Sequence, residues 1–71
     1  EFWPGARIGL SQRESEVLGL IVAGLSNQAI ASRLVIGAET VKSHARAIYR
    51  KLGVSDRAGA VAAALREGLY R

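Results

Sequence analysis

Seventy-one residues, 49% of them hydrophobic and only one a proline, describe one small folded domain; a chain this short buries only about 60% of its unfolded surface and cannot divide into two cores. The absence of cysteine excludes disulfides and thiolate metal sites, and a single histidine, His44, with a single aspartate, Asp56, leaves zinc and calcium without a ligand set, so no metal or cofactor is expected. Ten Lys and Arg against six Asp and Glu give a net charge of +4, which favours an anionic partner such as nucleic acid or acidic lipid, and no apolar run approaches the 18 or so residues of a membrane span, so a soluble, cytoplasmic protein is expected.

Residues 1–9 read as a linker or cloning remnant ahead of a domain over 10–71, with any sensory portion expected before Trp3. Ser11 followed by Glu14 forms a capping box, which predicts a first helix over about 11–23 with Val17, Leu18, Ile21 and Val22 as its apolar stripe and Gly24 as its terminator. Ser26 can cap a short second helix over about 27–34, carrying Ile30, Ala31 and Leu34. Val35, Ile36 and Gly37 then leave room only for a tight turn, the spacing of a helix-turn-helix.

The third helix is predicted over about 38–52, with Gly37 as N-cap and Gly53 as terminator. At about 100° per residue, Val41, Ala45, Ile48 and Leu52 share one side, and Lys42, Arg46 and Arg50 lie opposite. Only Glu39 is spaced to pair within this helix, while Arg46 and Arg50 have no acid three or four residues away. Unneutralised arginines repel one another, and a polyanion would supply the missing charge. A helix about 10–12 Å across fits a DNA major groove about 12 Å wide, where Lys and Arg reach guanine O6 and N7. His44, Ser43 and Ser55 lack the neighbours that acid-base or nucleophilic catalysis needs, so no enzyme is expected.

Ser55 is expected to cap a fourth helix over about 56–67, with Asp56 in its first turn and Gly68 at its end. Ala58, Val61, Ala62 and Leu65 make a stripe expected to face the core. Ala60, Ala63 and Ala64 then fall outside it, either as good helix formers on the surface or as small residues that let a second helix come close. No segment alternates as a strand does, so the expected fold is all-α with four helices.

With these residues placed, the sequence resembles the DNA-binding domain of the LuxR/NarL/FixJ family of bacterial transcription regulators. The likeness runs through LSQRESEVLGL from Leu10, GLSNQAIASRL from Gly24, ETVKSH from Glu39, YRKLGVSDR from Tyr49 and AVAAALREGL from Ala60. It implies a response-regulator output domain that binds double-stranded DNA as a homodimer on an inverted repeat, in the bacterial cytoplasm at the nucleoid, with RNA polymerase as a further partner. By match to the family, Lys42, Ser43 and Arg46 would read bases, Asn27, Thr40, Arg50 and Lys51 would hold phosphates, and the fourth helix would pair with its twin through Ala60, Ala63 and Ala64. The chain departs from the family's common pattern at Gln28 and Ala29 (often Lys and Glu), Gly37 (Ser or Asp) and Ala47 (Asn). Two alternatives remain at this stage: a sigma-factor-like promoter-reading domain, and a helical interaction module whose basic face docks an acidic protein.

Overall fold

Local capping chemistry divides the chain. The computed structural model describes residues 2–70; Glu1 and Arg71, the outer ends of the two expected segments, lie outside the described residues. Ser11 Oγ accepts the Glu14 amide proton at 3.1 Å while the Glu14 carboxylate accepts that of Ser11 at 2.9 Å, and this reciprocal box starts α1, Gln12–Val22. Ser26 Oγ accepts from the Ala29 amide at 3.1 Å and starts α2, Asn27–Leu34. Gly37 is the extended but side-chain-free N-cap of α3, Ala38–Leu52, and Gly53 ends that helix at φ 71°, a left-handed conformation that costs glycine little.

The fourth helix, α4, spans Arg57–Arg66, and its cap corrects the expectation. Asp56, not Ser55, is the N-cap, its Oδ1 accepting the Gly59 amide at 2.8 Å. A carboxylate there meets the positive helix end with a full charge, where the neighbouring hydroxyl would offer only a dipole. The fold is all-α, with no strand among the described residues.

Leu18, Ile21, Ile30, Ile48, Val17 and Val41 are the largest fully buried side chains and bring α1, α2 and α3 together. α4 closes this core on α1 and α3 with the face opposite to the one expected. Ala60, Ala63 and Ala64 are buried, at 0%, 1% and 0% exposure, whereas Ala58 and Ala62 are exposed, Leu65 is 56% exposed and Val61 is half-buried. An isologous contact through Ala60, Ala63 and Ala64 is therefore blocked by the domain's own core. The reason lies in Arg57, whose guanidinium donates to the backbone carbonyls of Ile21, at 3.3 Å, and Leu25 beyond the end of α1. That tie fixes the rotation of α4, and Ala60 and Ala64 follow Arg57 on the inward stripe at helical spacing. Small side chains on that stripe let the α4 backbone come close to α1 and α3.

Residues ahead of α1 also fold onto the domain. Ala6–Ile8 form a 3-10 turn, Leu10 is buried, and the Trp3 indole N–H donates to the Leu10 carbonyl at 2.9 Å. At the far end of the chain, the Tyr70 hydroxyl donates to the Ser15 carbonyl at 2.6 Å and lies 3.1 Å from Ser15 Oγ.

Two pairs of substitutions test this arrangement by urea denaturation. Ala64→Leu should overpack the α4 interface and cost about 1–3 kcal/mol, while Ala62→Leu should change stability by less than about 0.5 kcal/mol. Asp56→Ala should cost about 1 kcal/mol, and Ser55→Ala should be close to neutral.

Candidate nucleic-acid interface

α3 is divided lengthwise by burial. Val41 and Ile48 are fully buried, Ala45 is nearly so, and Leu52 is half-buried against the same core. That stripe sets the opposite side in solvent: Lys42, Ser43, Arg46 and Arg50 are all exposed, with Thr40 exposed in the first turn. Asn27 begins α2 and is half-buried. Ala47 is also half-buried, so it adds little to the outer face.

The electrostatics of this face are one-sided. Glu39 meets Lys42 at 3.3 Å, but both side chains are largely exposed, and such a pair contributes little and yields readily to a competing anion. Neither Arg46 nor Arg50 has an ionic partner among the described residues. Both guanidiniums keep the planar fork of donors that matches phosphate or guanine in two-point contact.

Lys51 belongs elsewhere. Its ammonium lies 2.7 Å from Glu14 Oε1, the oxygen that also accepts the Ser11 amide proton. Glu14 is only 8% exposed, so removing this cation would strand a largely buried carboxylate. Lys51, expected at a phosphate, is engaged in this ion pair, which joins the start of α1 to the end of α3. Sequence spacing hides the pair because the partners are 37 residues apart. Burial pushes the Glu14 carboxyl up, but hydrogen bonds from Lys51 and the Ser11 amide, with the fields of Lys51 and His44, outweigh it and hold the group below its ordinary 4.5.

Between α2 and α3 the chain reverses at Val35, a β-branched residue at φ 57° with 88% of its surface exposed. A glycine would be expected in that left-handed position. The turn closes through the Ile36 amide, which donates to the Ala31 carbonyl at 3.0 Å, and this seats Ile36 against the core. The two helices and this three-residue turn form a helix-turn-helix, with α3 presenting its cationic side outward.

Residues 9–64 match the GerE family, described as bacterial regulatory proteins, luxR family. The chain belongs to the luxR family of bacterial regulatory proteins. Two relatives named "Probable transcriptional regulatory protein NarL", from Mycobacterium tuberculosis strains CDC 1551 / Oshkosh and ATCC 25618 / H37Rv, are each 55% identical to it over 60 residues. That match covers 84% of this chain and 28% of each relative, so the chain spans well under a third of their length. The molecule is a LuxR-type helix-turn-helix domain. Among its described residues no helix is long and apolar enough to cross a membrane.

The Glu14 site makes the stability of this LuxR-family domain depend on pH. Because the folded-state value lies below the unfolded one, the contribution is complete above about 4.5 and is lost as pH falls through the depressed value. Urea midpoints measured from pH 6 down to pH 3 should therefore fall more steeply for the native chain than for Glu14→Gln, which should already be less stable at pH 6. Parallel curves would remove Glu14 as a source of the acid sensitivity.

Proposed function

We propose that the domain binds duplex DNA with sequence preference by laying α3 in the major groove, as a symmetric dimer on an inverted repeat. The observation that carries this reading is the pair of exposed arginines, Arg46 and Arg50, without ionic partners among the described residues, on a helix whose other side is locked into the core. Lys42, Ser43 and Arg46 read base edges. Arg46 is suited to bidentate contact with guanine O6 and N7, and Lys42 exchanges Glu39 for a base or phosphate on binding. Asn27, Thr40 and Arg50 hold phosphates and set the register, while Lys51 supports α3 from behind through Glu14.

Dimerisation is assigned to the stripe that α4 leaves in solvent: Ala58, Ala62 and Leu65, with Val61 at its edge. Their spacing of four and three residues places them on one face, and small residues beside one exposed leucine suit an isologous helix pair. A contact of that size is weak in free solution. Bound DNA holds the two copies together and supplies the remaining stability, so the domain is monomeric without it.

Binding to duplexes selected from random sequence, titrated across salt concentrations, tests the reading. Affinity should fall steeply with salt. Arg46→Ala should relax discrimination at one position of each half-site by about 1–3 kcal/mol, whereas Arg50→Ala should weaken all sequences similarly and lower the salt slope by about one. Unchanged discrimination in Arg46→Ala would remove α3 from the reading role.

A further inference from the structure

A cleft of about 400 Å³ opens on the side of the domain formed by the residues ahead of α1, the outer face of α1, the last turn of α2 and the end of the chain. Its two aromatic walls come from opposite ends of the sequence and are both anchored. Trp3 is fixed by its hydrogen bond to Leu10, and Tyr70 by its bonds to Ser15. Gly19 lies under the Tyr70 ring, where a Cβ would stand 3.0 Å from a ring carbon, so its lack of a side chain is what lets the ring lie against α1. Leu20 and Leu34 add apolar surface.

The rim carries both signs, with Glu16 and Arg33 in the lining. Glu16 is engaged by Arg13 at 3.4 Å. Arg33 is exposed and, among the described residues, neither pairs with a carboxylate nor donates a hydrogen bond. Its place in the last turn of α2 suits the helix dipole and still leaves the guanidinium's donors available to the cleft. Anchored aromatic walls, mostly apolar surface and a volume within the roughly 300–1,000 Å³ typical of small-ligand sites suit a small apolar body, and Arg33, the lining cation without an ionic partner among the described residues, suits an anionic end.

We infer that this cleft is a binding site for a small amphipathic carboxylate, its apolar body between Trp3 and Tyr70 and its carboxylate on Arg33. The walls are positioned before the ligand arrives, so little ordering is required on binding. The site lies apart from the outer face of α3, and the inference does not depend on how that face is used.

Trp3 is the only tryptophan of the chain, so its fluorescence reports the cleft directly. Decanoate and decanol serve as probes, each titrated below the concentration at which it aggregates. Decanoate should give a saturable change with one site per chain. Decanol, which keeps the apolar body and lacks the charge, should bind roughly ten-fold more weakly, and Arg33→Ala should erase that difference while Arg66→Ala, an exposed α4 cation, preserves it. Four results would overturn the assignment. They are no saturable response to decanoate, equal affinity for the two probes, equal effects of the two arginine substitutions, and a Trp3 signal that changes with protein concentration alone, which would mean that a second copy covers the cleft.

Discussion

The buried stripe of α3 is the constraint on which the remaining features depend. Val41, Ala45 and Ile48 are taken almost wholly out of water against α1, α2 and α4, and each apolar side chain so buried favours this one rotation of the helix over any other. Lys42, Ser43, Arg46 and Arg50 are exposed because the stripe leaves them no other place. The Glu14–Lys51 pair adds a polar lock at the far end of the same helix, with one carboxylate oxygen serving both the cap of α1 and the ammonium of α3. A helix fixed along its apolar side and pinned near its end presents its outer donors in a set geometry. Little further ordering is then needed when a polyanion arrives.

Elements set by local chemistry are legible in the sequence. The Ser11–Glu14 box, the Ser26 cap and the glycine after α3 act within three or four residues, and the observed helix bounds differ from the expected ones by no more than one residue at either end. The two faces of α3 are legible for the same reason, since strongly polar and strongly apolar residues alternate at helical spacing. α4 is different. Seven of the eight residues from Ala58 to Leu65 are alanine, valine or leucine, so periodicity does not mark a face, and size misleads by suggesting that Leu65 belongs inside. Its rotation is set by Arg57 reaching carbonyls 36 and 32 residues away, information absent from any local window.

Lys51 illustrates the same limit at the site. On α3 it is one cation among several beside the exposed cationic face, and only the folded chain brings the Glu14 carboxylate to it. The left-handed turn at Val35 is likewise a demand of tertiary structure: the chain must reverse within three residues and still seat Ile36 on the core, and a residue poorly suited to that conformation accepts it. The three surfaces that result are physically separate. α3 carries unpaired positive charge, α4 leaves a small apolar stripe, and the Trp3–Tyr70 cleft is lined by residues of neither helix. A polyanion, a second copy and a small ligand can each be accommodated without competing for the same side chains.

The central claim is that the buried stripe of α3 turns its cationic side toward DNA. It is tested most directly by titrating a selected duplex into isotopically labelled domain and mapping the amide shift changes. The account predicts that the largest changes fall on Thr40 to Arg46 and on Asn27, with Arg50 following and Gly19 and Tyr70 unmoved. Changes centred on α1 and the Trp3–Tyr70 cleft, with α3 silent, would contradict it.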